Sequence, residues 1–420
     1  MPEERHGAGP ARAPEQKHAI IIGGSICGLF AALLLRRAGW SVAVHERIGT
    51  ELGGRGAGIV THPELFDVIE RAGIDTQIAR IGVPVGGRRV FDRDGRIAGE
   101  RDLPQVLTSW GHLYRLLREA LPEGAYHHGR TLVRVEEGAR AVRAIFADGS
   151  TAEGDLLVGA DGLFSTVRAQ FLPEATPTYA GYVAWRGLVD EADLSAETRA
   201  ALCGHFSFSL PPGEQMLGYP VAGSDESLEE GRRRYNFVWY RPAEQGRRLA
   251  DLLTDTDGRR HDLSIPPNGI RPEVVAAMRD DARRLLAPQF AEVVERTRQP
   301  FLQAILDLET PRMRLGTRIA LLGDAAFVAR PHVGMGVTKA AADVAALVDA
   351  LADTGDVEAA LAAFEARRLA FGAAVVRRAR DLGAYMQAQI LDDRQRAQAE
   401  RHRQPEAVMR ETAVATGIAA

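Results

Sequence analysis

The residues near the start of the chain whose types and spacing suit chemistry are a glycine-rich turn and an acid. The turn reads GGSICG over residues 23–28, and Glu46 ends the next apolar run. Backbone N–H groups of such a turn can approach a pyrophosphate at a helix start, where the helix dipole favours negative charge. Glu46 would accept hydrogen bonds from a ribose. This order of strand, glycine turn, helix, strand and acid is typical of a dinucleotide-binding βαβ unit, with a crossover that binds no nucleotide as the alternative.

Ser25 departs from the dinucleotide fingerprint GxGxxG, which has its second glycine at this position. A side chain here reduces the approach of the backbone to a phosphate, although the serine hydroxyl could itself donate a hydrogen bond. Because the acid stands at the expected distance, the sequence still favours a nucleotide site.

Two further junctions of strand, glycine and helix follow along the chain. The first reads GADGLFSTVR over residues 159–168, with Asp161 in the turn and Arg168 one turn into the helix. The second reads GDAAFVARPHVGMG over residues 323–336, where Asp324 follows a buried strand and an alanine-rich helix begins. The free N–H groups at that helix start could receive the electron-rich edge of a ring.

Two other stretches suit a flat ligand. Four glycines lie within residues 53–58 around Arg55, and such a loop can pass close to a ring or simply be a flexible surface loop. Residues 178–265 alternate as antiparallel strands do and concentrate the aromatic side chains of the chain. One face of that sheet could cover a planar substrate, and a packed sheet core is the alternative for most of these rings.

Composition excludes several classes of protein. The 420 residues are 45% hydrophobic and 26% charged with a net charge of −4, which describes a globular protein long enough for two or more domains. Basic residues form no long stripe, so we expect no nucleic-acid partner. No uncharged apolar run is long enough to predict a membrane span. Cys27 and Cys203 form neither a disulfide framework nor a metal-ligand spacing, so we expect no metal and a reducing cytoplasm.

The order of elements predicts a mixed α/β fold, in which a Rossmann-like domain carries an inserted antiparallel-sheet domain and C-terminal helices. The Rossmann-like domain is predicted over residues 18–82, 104–176 and 287–350, and the sheet domain over residues 83–103 and 177–286. The remaining segments are a disordered leader (1–17), a C-terminal helical segment (351–395) and a charged, weakly patterned tail expected to fray (396–420).

Taken together, the three glycine junctions resemble those of the single-component FAD-dependent aromatic hydroxylases, the class A flavoprotein monooxygenases. The resemblance covers about residues 19–380. The segments PTYAGYVAWRGLV, RYNFVWY and GDAAFVARPHVGMG are more narrowly similar to the branch that hydroxylates dihydroxypyridines, which also carries the GGS form of the first motif. The resemblance implies a Rossmann-like FAD-binding domain with an inserted sheet domain for the substrate.

Position by position, the resemblance also implies a cofactor site. The residues it assigns to FAD are Gly23, Gly24, Ser25, Ile26, Gly28, Glu46, Arg47, Arg55, Gly58, Ile59, Leu132, Asp161, Arg168, Asp324, Pro331, Gly334, Gly336 and Val337. The glycine turn would wrap the pyrophosphate, Glu46 would hold the adenosine ribose and Asp324 would accept from the ribityl hydroxyls. Leu132 would meet the adenine through its backbone, and residues 334–337 would present N–H groups to the pyrimidine edge of the flavin.

One position departs from the family pattern. Many members carry an arginine that contacts the flavin side chain at the start of a helix where this chain has Trp110. Tyr114 and Arg115 are the nearby residues that could replace it, and the sequence favours neither.

The substrate side of the site is predicted from the aromatic sheet and the last glycine junction. Hydroxylation needs an activated ring, and a base that removes a hydroxyl proton would help. We predict His332 as the catalytic residue, with His205 and Tyr219 as further candidates for the base. We expect His205, Tyr219, Trp185 and Met335 to bind substrate, with plain packing or a surface position as the alternative for His205.

The reaction that the resemblance implies is insertion of one oxygen atom into a hydroxylated aromatic or N-heteroaromatic ring. FAD would be tightly bound, NADH or NADPH would reduce it, and molecular oxygen would react through a flavin hydroperoxide. Partners would be a small aromatic substrate and oxygen, and a homodimer is compatible with the family. The alternatives are an FAD-dependent dehydrogenase or reductase of the same fold, and a non-catalytic flavin-binding protein.

Overall fold

The structure is a computed structural model in which residues 16–53, 58–76, 81–389 and 392–415 are described, apart from the side chain of residue 398. Nearly all of the predicted leader and the whole of Arg55 lie outside the described residues.

The described residues form eighteen strands and twelve α-helices. The strands are β1 (His18–Ile22), β2 (Ser41–His45), β3 (Gly58–Val60), β4 (Val83–Phe91), β5 (Ile97–Ser109), β6 (Tyr126–His127), β7 (Leu132–Glu137), β8 (Val142–Phe146), β9 (Thr151–Gly154), β10 (Leu156–Gly159), β11 (Thr178–Asp190), β12 (His205–Ser209), β13 (Gln215–Val221), β14 (Arg234–Pro242), β15 (Phe301–Glu309), β16 (Arg314–Leu315), β17 (Ile319–Leu321) and β18 (Phe327–Val328). The helices are α1 (Ile26–Arg37), α2 (Pro63–Arg71), α3 (Trp110–Glu119), α4 (Thr166–Phe171), α5 (Ala196–Leu202), α6 (Arg247–Leu252), α7 (Pro272–Leu285), α8 (Pro288–Arg296), α9 (Gly336–Thr354), α10 (Val357–Gly383), α11 (Asp393–Arg403) and α12 (Pro405–Glu411).

A six-stranded sheet brings the three glycine junctions to one edge. Its strand order is β16-β17-β10-β1-β2-β6, and every pair except β16–β17 is parallel. The central strands are continuous apolar runs because both faces of such a sheet are covered by other elements. The junctions follow β1, β10 and β17, which are neighbours, so all three glycine turns lie at the carboxyl edge, where ligands bind in folds of this kind.

A nine-stranded sheet has the order β18-β15-β11-β14-β13-β12-β4-β5-β3 and is antiparallel except between β12 and β4. Its two faces pack into separate apolar clusters, one containing Phe290 of α8 and the other containing Tyr385 and Met409 near the C-terminus. Strand β15 pairs with β11 although the predicted sheet domain ends at residue 286, so this sheet extends further along the chain than we predict.

The C-terminal segment differs most from the prediction. Instead of fraying beyond residue 396, the chain forms α11 and α12, and Val408 and Met409 are buried against the nine-stranded sheet. These few apolar residues are too sparse to give a helical period in the sequence, and the sheet supplies the surface that buries them. Among the helices of the described residues, none is both long and apolar enough to cross a membrane.

Candidate active site

A groove opens at the carboxyl ends of β1, β2 and β10, and we call it the strand-end groove. Of the predicted cofactor residues, those that line it are Gly23, Ser25, Glu46, Arg47, Leu132 and Asp161. They come from the first and second glycine junctions, from the end of β2 and from the start of β7, and the parallel pairing of β1 with β2 and β10 brings the first three of these parts together.

Glu46 holds the first glycine turn in shape. Its carboxylate is buried and accepts hydrogen bonds from the backbone N–H of Gly24 at 2.8 Å and of Ile48 at 2.9 Å. The amide of Gly24 is therefore directed at Glu46. The acid that the sequence predicts as a ribose acceptor also fixes the backbone around the groove.

The glycines of this turn are required by close packing. Gly23 has a φ of +100°, which favours glycine, and a Cβ on Gly28 would lie 1.9 Å from the carbonyl oxygen of Gly23. Ser25 is the N-cap of α1, but its side chain makes no capping hydrogen bond, so the hydroxyl remains available at the groove. Ile26 is buried in the core and does not line the groove.

The charged residues of the second glycine junction, residues 159–168, form their hydrogen bonds within the protein. Asp161 accepts hydrogen bonds from the backbone N–H of Thr166 at 2.7 Å and from the hydroxyl of Ser165 at 2.5 Å, which closes the start of α4. Burial raises the pKa of Asp161 above its usual range, and these hydrogen bonds oppose the shift.

Arg168 is buried and does not line the groove, contrary to its prediction as a cofactor contact. Its guanidinium donates to the carbonyl oxygen of Ala325 at 2.9 Å and to that of Ala175 at 3.0 Å. Because Ala325 belongs to the third junction, Arg168 ties the second junction to the third and thereby positions both.

A second cavity, which we call the sheet cavity, lies between the third junction and the nine-stranded sheet and has a volume of about 280 Å³. The predicted cofactor residues that line it are Gly58, Ile59, Asp324, Pro331, Gly334, Gly336 and Val337. Trp110 lines both cavities, so the two adjoin at its side chain. Among the residues the sequence left unassigned, Arg186, Thr412 and Ala413 also line the sheet cavity.

Trp110 stands at the helix start where the resemblance places the family arginine. Its ring stacks on that of Tyr114, with centroids 5.0 Å apart and planes inclined by 11°. The Tyr114 hydroxyl donates to Glu51 at 2.6 Å, and Arg115 is paired with Glu226. Neither Tyr114 nor Arg115 lines the groove or the cavity, so an aromatic surface stands where the family arginine would be.

Asp324 presents a carboxylate to the sheet cavity. Its side chain is exposed to the cavity and makes no hydrogen bond or ion pair with any described residue. Loss of water around it raises the pKa of Asp324 above its usual range, and the positive charge of Lys339 opposes that shift. Such a carboxylate is ready to accept hydrogen bonds from hydroxyl groups of a ligand.

The start of α9 closes the same side of the cavity. Gly334 has a φ of +65°, and a Cβ there would lie 2.7 Å from the Cβ of Ala413. The backbone N–H groups of the first turn of a helix have no partner within the helix, so the N-terminus of α9 can face an acceptor in the cavity. Gly58, on the other side, donates its N–H to Asn236 at 3.0 Å and lies against the ring of Tyr219.

Of the four residues predicted to bind substrate, only Tyr219 lines the sheet cavity. Trp185 is 2% exposed and packs with Phe237 and Trp239 on the opposite face of the sheet. Side chains alternate between the two faces of a strand, and β11 turns Trp185 away while the next residue, Arg186, faces the cavity. The aromatic character of Trp185 therefore reflects the core, which corrects its prediction as a ligand contact.

The structure also corrects the predictions that His205 and Met335 bind substrate. His205 begins β12, its Nε2 lies 3.5 Å from Oε1 of Glu100, and it does not line the cavity. Met335 packs with Val375 and Leu382 against α10. Its side chain is thus directed into the core, although its backbone precedes the helix start that faces the cavity.

His332 is a buried core residue and does not line the cavity. Its Nε2 lies 2.8 Å from the hydroxyl of Tyr182, and its Nδ1 lies 3.3 Å from Oε1 of Gln215. Burial lowers the pKa of His332 to about 3, with a smaller contribution from Arg330. Both ring nitrogens are engaged by the protein, so the predicted role of His332 as the base is not supported.

Comparison with known proteins agrees with this arrangement. Residues 179–307 match a family model described as FAD binding domain-like, and residues 276–379 match one described as FAD binding domain. The chain is 32% identical over 376 residues to 2,6-dihydroxypyridine 3-monooxygenase of Paenarthrobacter nicotinovorans. The matched residues cover 89% of this chain and 93% of that protein. The chain belongs to the FAD-dependent aromatic monooxygenases.

Solved structures confirm the fold of this monooxygenase. The structure of 2,6-dihydroxypyridine-3-hydroxylase from Arthrobacter nicotinovorans superposes with a TM-score of 0.83 at 31% identity and covers 91% of this chain and 96% of that one. Klebsiella pneumoniae HpxO complexed with FAD and uric acid superposes with a TM-score of 0.73 at 25% identity and covers 92% of each chain. The mixed α/β architecture and the FAD-dependent monooxygenase class expected from the sequence are thus confirmed.

The site of this monooxygenase fits FAD by its own chemistry. The hydroxyl of Ser25 and the carboxylate of Asp324 are polar groups that face the site without a protein partner among the described residues. A Cβ on Gly58 would collide with the ring of Tyr219 at 2.4 Å, so the wall of the sheet cavity admits only glycine at this point. Gly24, Ile26, Gly28 and Arg168 lie behind these surfaces and support them.

Proposed function

We propose that this monooxygenase hydroxylates a hydroxylated aromatic or N-heteroaromatic ring of the hydroxypyridine type. It would hold FAD tightly, take electrons from NADH or NADPH, and use molecular oxygen. A cytoplasmic location and a homodimeric state stay predictions from the sequence.

The observation that carries the proposal is that two cavities of different chemical character adjoin at Trp110. The strand-end groove is lined by glycine turns and by Glu46, which suits the adenosine pyrophosphate part of FAD. The sheet cavity is lined by rings and aliphatic side chains with Asp324 at one side, which suits a flavin ring and a small aromatic substrate.

The groups of the chain have separate tasks in this proposal. Glu46 accepts hydrogen bonds from a ribose, Ser25 donates to a phosphate, and Asp324 accepts from the ribityl hydroxyls. The first N–H groups of α9 stabilise negative charge at the pyrimidine edge, as oxyanion-binding groups do. When bound, FAD supplies the chemistry that takes hydride from NAD(P)H and activates oxygen.

The cavity wall formed by the nine-stranded sheet, opposite Asp324, excludes water from the substrate. Phe206, Leu217, Tyr219, Val238 and Tyr240 line the sheet cavity from three neighbouring strands of the nine-stranded sheet, β12, β13 and β14. Exclusion of water protects a reactive oxygen species from loss before it meets the ring. A flat substrate can pack on these side chains while its polar groups face the few charged residues of the cavity.

The substrate class rests on the relatives. One is named for action on 2,6-dihydroxypyridine and another holds uric acid in its structure. Both are nitrogen heterocycles that carry oxygen substituents on ring carbons, which favours an oxygen-substituted N-heteroaromatic ring over a plain phenol.

A substrate screen tests the proposal. Purified protein loaded with FAD is supplied with NADH or NADPH, oxygen, and a panel of 2,6-dihydroxypyridine, urate and hydroxybenzoates. We expect one class of ring to stimulate NAD(P)H oxidation and oxygen uptake and to yield a product heavier by one oxygen atom. Flavin reduction without a hydroxylated product for any ring would point to a dehydrogenase, and a protein that takes up no FAD would contradict the proposal entirely.

A further inference from the structure

Arg186 is the cationic residue that β11 directs into the sheet cavity. Along this strand, Tyr182 and Ala184 belong to the apolar cluster on the cavity face, and Val183 and Trp185 to the cluster on the other face. Arg186 continues the first series and lines the cavity. A guanidinium therefore stands among Phe206, Leu217 and the other apolar side chains of the wall.

The protein leaves the guanidinium of Arg186 incompletely bonded. Its Nη1 makes one long hydrogen bond, at 3.4 Å, to Oε1 of Gln303, and its Cζ lies 5.6 Å from the centre of the Phe301 ring. Its Nε is buried without a hydrogen-bond partner, and no described residue forms an ion pair with it. Buried donors of a charged group that lack an acceptor are costly, and an oxyanion on a ligand would satisfy them.

The other charged residues of the cavity have assigned partners or tasks. Arg330 forms a buried ion pair with Asp307 at 2.8 Å and donates to Gln387 at 2.8 Å. Asp324 faces the cavity from the third glycine junction, and its charge would repel an anionic ligand. Arg186 is consequently the cation of the described cavity wall that is left for a ligand.

Among the described residues, the face of the nine-stranded sheet that lines the cavity carries no histidine or carboxylate that could act as a base toward a ring hydroxyl. No histidine is among the described residues that line the sheet cavity, since His332 and His205 lie elsewhere. Burial raises the pKa of Tyr219 and of Tyr240 above the usual range of tyrosine, so both hydroxyls stay neutral. A nearby positive charge favours the ionised form of an acidic ligand group without any base in the protein.

We propose that Arg186 binds an anionic oxygen of the aromatic substrate, either a carboxylate or an ionised ring hydroxyl, and thereby selects anionic rings. The inference rests on the proposed function and deepens it. The guanidinium offers a planar pair of donors that matches a carboxylate or two neighbouring oxygens. An ionised ring oxygen also makes the ring richer in electrons, which an electrophilic oxygen transfer requires.

Binding measurements on matched ligand pairs test this assignment. Isothermal titration calorimetry on the FAD-loaded enzyme, without NAD(P)H, compares 4-hydroxybenzoate with 4-hydroxybenzamide and 2,6-dihydroxypyridine with 2,6-dimethoxypyridine. The first pair tests a carboxylate and the second a ring oxygen. The variants are Arg186→Gln, Arg186→Lys and, as a matched control, Arg234→Gln, which alters an arginine of the same sheet that does not line the cavity.

We expect the wild-type enzyme to bind the anionic member of at least one pair about tenfold or more tightly than the neutral member. Arg186→Gln should reduce that preference to within about threefold, Arg186→Lys should retain part of it, and Arg234→Gln should leave it unchanged. FAD content and circular dichroism of Arg186→Gln should match the wild type, because Arg186 supports little of the fold.

Several outcomes would overturn the assignment. They are an unchanged preference in Arg186→Gln, a wild type without a preference in either pair, and a wild type that binds none of the four rings. These results are separable from a failure of the proposed function, which the turnover screen reports on its own. An enzyme that hydroxylates a ring but keeps its anion preference in Arg186→Gln would retain the function and lose this inference.

Discussion

The guanidinium of Arg88 donates a hydrogen bond to the carbonyl oxygen of Met409 at 3.0 Å, which joins β4 to α12 across 321 residues of chain. The same side chain also donates to the carbonyl oxygens of Thr412 and Ala413. These carbonyls lie at or just beyond the end of α12, where a helix leaves acceptors unpaired. Arg88 is fully buried, and its burial lowers the pKa of the guanidinium to about 9. Since Thr412 and Ala413 line the sheet cavity, Arg88 holds part of the cavity wall in place.

We predict that Arg88→Met loosens the C-terminal segment. Loss of several hydrogen bonds from a charged donor should lower the free energy of unfolding by about 2–4 kcal/mol. Amide hydrogen exchange over residues 405–415 should accelerate, and more of the NAD(P)H consumed should yield hydrogen peroxide without product. Arg89→Met is the matched control, because Arg89 pairs with the partly exposed Glu100 and should matter less. Unaltered amide exchange over residues 405–415 in Arg88→Met would contradict the proposal that Arg88 holds the C-terminal segment in place.

Substitution of Asp324 should weaken FAD binding. Asp324→Ala removes a charged acceptor that faces the cavity without a protein partner, so we expect the dissociation constant for FAD to rise about tenfold or more. Asp324→Asn keeps one acceptor oxygen and should fall between the wild type and Asp324→Ala. Fluorescence titration of the apoprotein with FAD measures each constant, and equal constants for all three proteins would show that Asp324 does not hold the ribityl hydroxyls.

Substitution of Glu46 should affect both the turn and FAD. Glu46→Ala deprives the buried N–H of Gly24 of its acceptor, which should destabilise the apoprotein by about 1–3 kcal/mol and weaken FAD binding. Glu46→Gln keeps an acceptor for Gly24 and should restore most of the stability but not the affinity for FAD. Urea unfolding and FAD titration separate the two effects, while the preference among aromatic substrates should stay the same. A loss of stability equal in both variants would argue against the bond to Gly24 as its cause.

Acid should destabilise the protein partly through His332. Burial lowers the pKa of this side chain from its ordinary 6.5 to about 3, so the unfolded chain binds a proton at a higher pH than the folded protein does. The free energy of unfolding should therefore decline as pH falls from about 6.5 towards 3. Protonation of this residue in the unfolded chain should lower it by about 3 kcal/mol at pH 4 relative to neutral pH. His332→Gln should flatten that decline in urea unfolding between pH 7 and pH 4. Parallel curves for the two proteins would assign the acid sensitivity to other groups.

The glycine junctions and the parallel sheet were predictable because their signals are local. An apolar run, a glycine turn and a helical period occupy adjacent residues, and the parallel pairing of β1, β10 and β17 then brings the turns to one edge. Ser109 and Asp356 cap α3 and α10 by accepting from the N–H of His112 and of Ala359, and such caps are local signals of the same kind, because serine and aspartate are preferred directly before a helix.

The substrate side was less predictable because both faces of the nine-stranded sheet are covered. Trp185 and Arg186 are neighbours, and neither face of β11 is left to water, so the pattern of apolar residues does not say which face meets the ligand. Because side chains alternate along a strand, Trp185 and Arg186 must face opposite sides of the sheet, and only one of them can meet the ligand. The aromatic residues of the strand favoured Trp185 as the ligand contact.

By itself the sequence determined the order of elements, the dinucleotide-binding edge and the class of chemistry, since each depends on residues close together in the chain. Only the tertiary structure decided that His332 is a core residue, that Arg186 faces the cavity and that Arg88 holds the C-terminal segment. Those relationships join residues more than a hundred positions apart, and they depend on which surfaces the packed sheets leave open.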